Sequence, residues 1–283
     1  MTTALREKFQ LSIDQRRFFG QNGYLVVDGL LSPEELAELD RHSSDLAENK
    51  VDLSHAQIPS WLEEKSQQVK GTSPQDIEDK YFRFIQFHEH LEIHERYMLH
   101  PRVLDVLEVL IGPDVMGMQS MLFLKPPGQP GQAYHQDSHY IKTAPDTLCG
   151  AWMAIDDADE DNGCMGFIPG SNHEPIYEEV AQPENTNDFK EGLSETQGVD
   201  SNREVLAPVK AGGVVFFHGH LLHRSRRNST KDRFRRVYVC HYANARSYTE
   251  WGGGNESQIL ARGSTHLPFA RTRFIDFDPE PIG

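Results

Sequence analysis

The sequence contains no long apolar stretch and no recognisable export signal. Within its 283 residues there is no run of about 18 apolar residues, so we expect no membrane-spanning helix and no membrane partner. Residues 1–12 lack the apolar core of a secretory signal peptide. Both absences favour a soluble, cytoplasmic protein.

Cysteine is scarce as well. Cys149, Cys164 and Cys240 are scattered along the chain and odd in number. They form neither a disulfide framework nor the CxxC spacing that is typical of zinc sites. We therefore predict buried thiols in a reducing compartment.

Positive charge is in deficit. The chain has 28 lysine and arginine residues against 43 aspartate and glutamate residues, which gives a formal net charge of −15 and a pI of about 5.3. A nucleic-acid partner is not expected, because the phosphate backbone attracts a net positive surface. No feature of the sequence indicates an oligomeric state.

Internal repeats and low-complexity tracts are also missing. Hydrophobic residues make up 37% and charged residues 25% of the chain, as in ordinary globular proteins. A single β-barrel domain often reaches this length. We therefore predict one domain over residues 1–283, with a mainly helical front at residues 1–113 and a β-rich core at residues 114–245.

The helical front carries several start and stop signals. Helices are expected where a serine N-cap or a proline in the first turn precedes apolar residues at helical spacing. The predicted helices begin at Ser12, Ser32 and Pro101; the first ends near Gly20 or Gly23 and the third at Gly112. Residues 23–27 read as a strand between the first two helices.

Short strands dominate from residue 115 onwards. The candidates are residues 115–125, 149–155, 165–168, 213–217 and 235–242, separated by clusters of Gly, Pro, Asn and Asp. Short strands with this punctuation are typical of a sandwich or barrel. Two polar segments, residues 49–80 and 178–204, are predicted to be loops and are both candidate active-site lids, and the second is also a candidate insertion.

A pair of possible metal ligands lies in the first half of the β-rich part. His135 and Asp137 are two positions apart, and on a strand such residues point to the same side. An imidazole and a carboxylate can therefore face one ion. A single HxD pattern often occurs by chance, so more is needed to predict a site.

A group of histidines supplies a possible third ligand. His218, His220 and His223 follow an apolar strand, and all three compete for this role. Two histidines and one carboxylate on one face, with the other positions open, form the facial triad of non-haem Fe(II) oxygenases. The open positions matter because the ion must also hold a co-substrate and O₂.

A strongly cationic segment follows these histidines. Residues 224–236 contain six arginines and one lysine in an otherwise acidic chain. The planar guanidinium of arginine grips a carboxylate at two points. We expect most of these side chains to form a solvated, salt-bridged strand edge, with one or two of them directed inward.

These residues, taken together with others around them, resemble the phytanoyl-CoA dioxygenase-like family of Fe(II)/2-oxoglutarate oxygenases. The matching segments occur in family order and at sensible spacing. They are residues 124–127 (LKPP), 134–137 (YHQD), 151–152 (AW), 162–165 (NGCM), 168–171 (IPGS), 222–225 (LHRS) with Asn228, and 235–242 (RRVYVCHY). Residues 23–27 and 32–35 also look like the opening of the family.

The resemblance implies a mostly β fold, a double-stranded β-helix or cupin-like jelly roll at residues 114–245, with helices packed on one sheet. It implies that Fe(II) is held by His135, Asp137 and His223, which would be the catalytic centre. Retention of Asp137 favours hydroxylation, or a desaturation or ring-forming variant, because related halogenases replace this carboxylate with a small residue to admit halide.

The resemblance also implies a site for 2-oxoglutarate as co-substrate. Arg235 would pair with its far carboxylate, Ser225 would hydrogen-bond the same group, and Lys125 and Trp152 would line the pocket. Two departures from the family pattern are present. Arg224 stands where the family usually has Gly, and the interval from His223 to Arg235 is one residue longer than expected, which keeps two neighbouring arginines, Arg233 and Arg236, as alternatives.

The predicted function is a dioxygenase that hydroxylates an unactivated C–H bond of a small or medium organic molecule, with O₂ consumed and succinate and CO₂ released. Two other functions compete with it. One is a different metal enzyme on the same barrel, against which Arg235 and Ser225 argue, since it needs no carboxylate clamp. The other is a non-catalytic cupin-like binding protein, against which the complete set of His and Asp ligands argues.

Two further clusters are interpreted as structural. His88, His90, His94 and His100 have no accompanying carboxylate pattern, and we expect surface and packing roles for them. The acidic residues between 156 and 161 lack the glycine and the terminal glutamate of an EF-hand loop, so a solvated turn is expected rather than a calcium site.

Overall fold

The computed structural model describes residues 7–48, 50–53, 82–180, 195–250, 258–267 and 270. In these residues the α-helices are α1 (Ile13–Asn22), α2 (Pro33–Ala47), α3 (Glu92–Met98) and α4 (Pro101–Ile111). The strands are β1 (Tyr24–Val27), β2 (Phe82–Ile85), β3 (Val115–Lys125), β4 (Gln132–His135), β5 (Thr143–Ala144), β6 (Cys149–Ala154), β7 (Met165–Phe167), β8 (Glu179–Val180), β9 (Glu195–Thr196), β10 (Val205–Ala207), β11 (Val214–His218), β12 (His223–Ser225), β13 (Arg235–Asn244), β14 (Tyr248–Thr249) and β15 (Ile259–Arg262).

The helix signals in the sequence act as expected. Ser12 and Ser32 each accept a hydrogen bond from the backbone N–H three residues on, and Gln15 and Glu35 return one to the cap, so both capping boxes form. Gly23 ends α1 with φ at +80°, a left-handed conformation that glycine adopts without a steric cost. The predicted helix boundaries at these positions are confirmed.

Eleven of the described strands form two antiparallel sheets that face each other, and β5 with β14 and β8 with β9 form two small two-stranded sheets. The major sheet has the order β1-β11-β6-β13-β3, and both β15 and β2 pair with β3 at its far edge. The minor sheet has the order β10-β7-β12-β4. Between them lies an apolar layer with Trp152, Phe167 and Phe217. This is the predicted double-stranded β-helix, or jelly roll, and all five predicted strands are confirmed within a residue or two.

The helices cover the outer face of the major sheet. Their apolar residues join one large core with the outward-facing residues of β11 and β13. Tyr238 and Tyr242 of β13 are buried in this layer, and each donates its hydroxyl hydrogen at 2.7 Å to a backbone carbonyl, that of His94 or that of Met98. The helical layer therefore anchors β13, whose opposite face points between the sheets.

The acidic turn between residues 156 and 161 pairs with the arginine-rich segment, residues 224–236. The sequence pattern did not indicate this contact. Arg233 contacts Asp159 at 2.7 Å, and Arg236 contacts Asp156 at 2.6 Å. The turn is partly exposed, as expected of a solvated turn, but its carboxylates serve as counterions for arginine. Such pairs stabilise a surface only modestly, although they do orient the side chains.

Of the surface and packing roles expected for the first histidine cluster, three members have packing roles. His88, His94 and His100 are buried, because β3 and the helices close over them. His88 Nδ1 lies 2.7 Å from Ser120 Oγ, His94 Nε2 lies 2.9 Å from His42 Nε2, and His100 Nε2 lies 3.0 Å from a Glu35 oxygen. The last contact also supplies a carboxylate that the sequence pattern did not reveal.

The two loop predictions fall largely outside the described residues. Of the first predicted loop only residues 50–53 are described, without helix or strand. Of the candidate lid, residues 181–194 lie outside the description, while β8 and β9 on either side of them pair with each other, Glu179 opposite Thr196. Among the described helices, none combines the length and the apolar character needed to cross a bilayer. The cysteines are buried free thiols, as predicted.

The contact between half-buried His42 and buried His94 predicts a loss of stability in mild acid. Burial lowers the pKa of His42 to about 4, and it lowers the pKa of His94 as well. The unfolded chain therefore binds protons that the folded chain rejects between pH 6.5 and about pH 4, so stability is complete above pH 6.5 and falls as the pH falls through this range. For His42 alone we expect a loss of about 2 kcal/mol between pH 7 and pH 5.

Urea unfolding at pH 7 and pH 5 measures this loss. His42→Gln should remove about 2 kcal/mol from the pH-dependent change in the free energy of unfolding. The matched control is His266→Gln, at an exposed histidine, which should keep the wild-type change. Equal changes in His42→Gln and the wild type would contradict the prediction.

Candidate active site

Three side chains from two strands and a turn meet between the sheets. His135 ends β4, Asp137 begins the 3-10 turn Asp137–His139, and His223 begins β12 directly opposite His135. One ligand atom from each lies within 4.8 Å of the other two, and all three residues are buried. Asp137 Oδ1 is 3.6 Å from His135 Nε2 and 3.8 Å from His223 Nε2.

Backbone hydrogen bonds orient both imidazoles. Nδ1 of His135 donates to the carbonyl of Ala133 at 2.9 Å, and Nδ1 of His223 donates to the carbonyl of Leu221 at 2.9 Å. These bonds assign the proton to Nδ1 and leave the Nε2 lone pairs directed at Asp137. Burial, with His223 nearby, lowers the pKa of His135 to about 3, so this ring is neutral at pH 7.

A fourth side chain, which the sequence did not assign a role, holds the carboxylate. His241 Nε2 donates to Asp137 Oδ2 at 2.9 Å, and both residues are buried. Burial acts to raise the pKa of Asp137, but His241 and His223 outweigh it and lower that pKa. His241 shares the inward face of β13 with Arg235, so two-residue alternation from Arg235 was the signal that could have found it.

The other two histidine candidates lie outside the triad. His220 is half-buried and pairs with Asp146, while His218 is half-buried and its Nδ1 accepts a hydrogen bond from the His220 backbone N–H at 3.1 Å. Asp146 also accepts a hydrogen bond from Ser138 Oγ at 3.2 Å. Asp146 therefore ties the turn after Asp137 to the loop before His223.

Gln136 braces the same loop from the opposite side of β4. Its Nε2 donates to the His220 carbonyl at 2.7 Å, and its Oε1 accepts from the Tyr177 backbone N–H at 2.8 Å. The side chain thus points away from His135 and Asp137, as strand alternation requires. Gln136 and Asp146, which do not face the triad, therefore fix the loop before His223 against the segment that carries His135 and Asp137.

The triad faces a cavity of about 450 Å³ between the sheets. Arg235, Ser225 and Trp152 line this cavity, together with apolar side chains such as Met165 and Val239. The Arg235 guanidinium carbon lies 5.3 Å from the centre of a Trp152 ring, and the side chain is buried. One cavity is therefore lined both by the metal-ligating side chains and by Arg235, whose guanidinium is suited to bind a carboxylate.

Geometry separates Arg235 from its two alternatives. Arg233 precedes β13 and pairs with Asp159, and Arg236 points to the helical side and pairs with Asp156. Neither of them lines the cavity in the described part of the chain. The sequence could not separate Arg233 from Arg235, because the start of β13 was unknown.

Lys125 does not line the cavity in the described structure, contrary to expectation, but lies behind it. Its Nζ donates to the carbonyl of Arg226 at 2.5 Å and to Ser225 Oγ at 3.3 Å. Burial, and then the neighbouring charge of Arg235, lowers the pKa of this amine well below its usual range. Lys125 therefore contacts the cavity through Ser225.

Arg224, the departure from the family pattern, has a clear structural place. Its guanidinium forms two hydrogen bonds with Glu204, at 2.5 and 2.9 Å, and its central carbon lies 4.5 Å from the centre of the Tyr134 ring. Arg226 also pairs with Glu204. The long side chain is thus accommodated at the surface of the minor sheet, where it holds the end of the candidate lid segment.

The donor set fits a divalent transition metal. Two neutral imidazole nitrogens and one ionised carboxylate are the ligands of the facial triad of non-haem iron enzymes. All three approach from one side, and the cavity leaves the other side open to further ligands. His241 supplies the outer hydrogen bond that such carboxylates usually have.

Comparisons with known proteins agree with this geometry. The family model for phytanoyl-CoA dioxygenase (PhyH) matches residues 19–237. Phytanoyl-CoA dioxygenase domain-containing protein 1 of Danio rerio is 30% identical over 282 residues, with 89% of this chain and 94% of that protein covered. Peroxisomal phytanoyl-CoA dioxygenase of Bos taurus is 30% identical over 266 residues, with 90% of this chain and 75% of that protein covered.

Solved structures share the fold at lower identity. The epimerase SnoN, in complex with Fe³⁺, alpha ketoglutarate and nogalamycin RO, superimposes with a TM-score of 0.63 at 21% identity, covering 93% of this chain and 95% of that one. From the family match and the relatives together, the chain belongs to the phytanoyl-CoA dioxygenase family, and it is a 2-oxoglutarate-dependent non-haem iron dioxygenase, as its sequence predicted.

Proposed function

We propose that this oxygenase hydroxylates an unactivated C–H bond of a small or medium organic substrate. The carrying observation is the shared cavity: the triad of His135, Asp137 and His223 and the buried cation Arg235 line one space between the sheets. A metal-binding group and a carboxylate-binding cation in one cavity suit a co-substrate that has a carboxylate at each end. O₂ and the substrate would enter the same space.

In this proposal His135, Asp137 and His223 hold Fe(II). The ionised carboxylate supplies negative charge to the cation, and the two Nε2 lone pairs supply neutral ligands. His241 keeps the Asp137 carboxylate turned towards the imidazoles, because its hydrogen bond occupies Oδ2 and leaves Oδ1 free to face them. The bound iron and 2-oxoglutarate would supply the activation of O₂ that oxidises the C–H bond.

The residues around Arg235 bind and orient the co-substrate. Arg235 would grip the far carboxylate of 2-oxoglutarate, and Ser225 would donate a hydrogen bond to the same group. Lys125 contributes indirectly, because its Nζ donates a hydrogen bond to Ser225 Oγ from behind the cavity. Trp152 forms the wall against which the guanidinium rests, which limits its rotation.

The apolar wall keeps water from the reacting groups. Phe217 packs beside His223 with its ring centre 4.9 Å from the imidazole centre, and Met165 and Val239 line the same space. Exclusion of water strengthens the charge interactions of Asp137 and Arg235 and suppresses side reactions. The chain's own contribution is thus orientation and shielding.

Retention of Asp137 supports hydroxylation over halide transfer, as the sequence pattern had indicated. The fold by itself does not choose the outcome, since SnoN shares it and is named an epimerase. A cytoplasmic location and a single domain over residues 1–283 remain predictions. The experiments that follow distinguish this function from the two competing ones, a non-catalytic binding protein and a different metal enzyme on the same barrel.

Iron binding tests the triad. Fe(II) and 2-oxoglutarate added without oxygen should give a weak visible charge-transfer band in the wild-type protein and none in His135→Ala or Asp137→Ala. Iron affinity in these variants should fall by more than the roughly 10–100-fold that follows loss of an outer supporting residue. The matched control is His218→Gln, which removes a rejected candidate and should keep the band; a band retained in Asp137→Ala would refute the ligand set.

Co-substrate affinity tests the clamp. Arg235→Gln should raise the 2-oxoglutarate concentration for half-saturation of that band about 10–100-fold, because a charge-assisted hydrogen bond contributes about 1.5–3 kcal/mol. Ser225→Ala should raise it only several-fold. Arg233→Gln is the control. Arg233 pairs with Asp159, so this variant should bind 2-oxoglutarate with the wild-type affinity. A larger effect in Arg233→Gln than in Arg235→Gln would reverse the assignment.

A further inference from the structure

The segment from Asp137 to Asp146 faces two different cavities. Asp137 lines the active-site cavity, whereas Ser138 and Asp146 line a second cavity of about 370 Å³ together with His220. The side chains of His220 and Asp146 remain 25% and 26% exposed there. Protons can therefore exchange between solvent and these two groups without passing through the active site.

The Asp146 carboxylate bridges the two arms of the triad, which are the turn that begins at Asp137 and the loop before His223. Its Oδ1 accepts a hydrogen bond at 3.2 Å from the hydroxyl of Ser138, the residue after Asp137. Its Oδ2 pairs with Nε2 of His220, three residues before His223. One carboxylate thus contacts both chain segments that supply metal-ligating groups.

Both ring nitrogens of His220 face hydrogen-bond acceptors. Nδ1 lies 3.1 Å from the carbonyl oxygen of Glu174, and Nε2 faces the carboxylate of Asp146. A carbonyl and an ionised carboxylate only accept hydrogen bonds, so both contacts are satisfied only by an imidazolium with two N–H groups. The hydrogen bond to Asp146 is the main reason that the pKa of His220 is raised. Burial acts to raise the pKa of Asp146, but the contact with His220 outweighs it and lowers that pKa.

The neighbouring titratable groups leave this charged pair intact. Burial lowers the pKa of His218, whose ring centre lies 5.7 Å from that of His220, so His218 is neutral where His220 is charged. The carboxylate of Glu174 accepts hydrogen bonds from Arg203 and Tyr177. The remaining titratable groups around the pair are His139, Lys142 and His173.

Loss of one proton from His220 breaks the bridge on one side. A neutral imidazole has a single N–H, so it can donate either to the Glu174 carbonyl or to the Asp146 carboxylate, and the other contact becomes two facing lone pairs. The hydrogen bond from the Ser138 backbone N–H to the Gly219 carbonyl, at 3.0 Å, does not depend on this proton. The two arms would therefore loosen without coming apart.

We propose that Asp146 and His220 form a proton-dependent latch on the metal site: while the imidazole carries both protons, the latch holds the two arms of the triad together, and after loss of one proton the arms loosen. Both are positioning residues, because they act through the segments that carry Asp137 and His223. The inference concerns regulation of the proposed iron site and rests on the proposed function. Since the latch is closed below the pKa of His220 and open above it, its contribution to metal affinity is lost as the pH rises through that pKa.

Metal affinity as a function of pH tests the latch. Mn(II), which takes the same kinds of ligand as Fe(II), is titrated without 2-oxoglutarate between pH 6 and pH 9, and the free ion is measured by its EPR signal. The quantity compared is the dissociation constant of His220→Gln divided by that of the wild type, because protonation of the shared ligands cancels in this ratio. We expect a ratio of about 10 at pH 6, the lower end of the roughly 10–100-fold loss that follows removal of an outer supporting residue, and a fall towards equality as the pH rises. A ratio that stays constant with pH overturns the inference.

Variants of the carboxylate test the other partner. Asp146→Asn should also weaken Mn(II) binding about 10-fold at pH 6, and combining it with His220→Gln should weaken binding no further, because the two side chains act as one unit. The matched control is Asp157→Asn, which removes a carboxylate that pairs with Lys210 and lines neither cavity, and it should keep the wild-type affinity at every pH. Losses that multiply in the double variant overturn the latch.

The wild-type protein provides a test that needs no variant. Binding linkage is reciprocal, so a metal that binds more tightly to the closed latch must raise the pKa of His220 by the same factor. Zn(II) is diamagnetic, and NMR titration of the His220 ring with and without it measures this shift. Repulsion between the metal and the imidazolium alone would lower the pKa. A pKa that is lowered or unchanged by Zn(II) therefore overturns the inference.

The outcomes also separate this inference from the proposed function. Mn(II) binding that is lost in Asp137→Ala but keeps the wild-type affinity in His220→Gln at pH 6 overturns the latch and leaves the metal site intact. Absence of Mn(II) binding in the wild type, or unchanged binding in Asp137→Ala, overturns the proposed site and, with it, this inference.

Discussion

The structure depends on one buried carboxylate. Asp137 lies in the turn that follows β4 of the minor sheet, accepts a hydrogen bond from His241 of the major sheet, and faces His135 and His223. A carboxylate removed from water is expensive unless it is paired and hydrogen-bonded. The two sheets must therefore meet in a register that brings His241 to Asp137, and this register also defines the cavity. The packing between the sheets and the chemistry of the site thus depend on the same contact, the hydrogen bond between His241 and Asp137.

Strand β13 connects the scaffold with the site. One of its faces carries Tyr238 and Tyr242, which bond to backbone carbonyls of the helical layer, and the other carries Arg235 and His241, which line the cavity. Because side chains alternate along a strand, the helices that anchor one face also position the other. The described helices therefore act on the active site without lining its cavity, by holding the strand that bears Arg235 and His241.

The arginine side chains around the active site differ in whether a carboxylate pairs with them. The acidic turn neutralises Arg233 and Arg236, and Glu204 neutralises Arg224 and Arg226. Arg83, Arg224 and Arg235 line the cavity, and of these Arg224 is the one paired with Glu204 in the described structure. An acidic protein with a net charge of −15 thereby keeps positive groups where an anionic co-substrate would bind, which focuses attraction on that point.

The sequence by itself determined the helix ends at their caps and the succession of short strands typical of a sandwich or barrel, because these rest on local rules: capping boxes, strand alternation and turn residues. Its resemblance to the family added the jelly-roll topology and the choice of His223 as the third member of the predicted triad. Tertiary structure alone decided which of the arginines faces inward, that Lys125 acts through Ser225, and that His241 and Arg83 belong to the cavity. Those facts depend on where β13 starts, on the pairing of β2 with β3, and on the contact between two sheets. Such long-range registers arise from packing of residues far apart in the chain, and no local pattern encodes them.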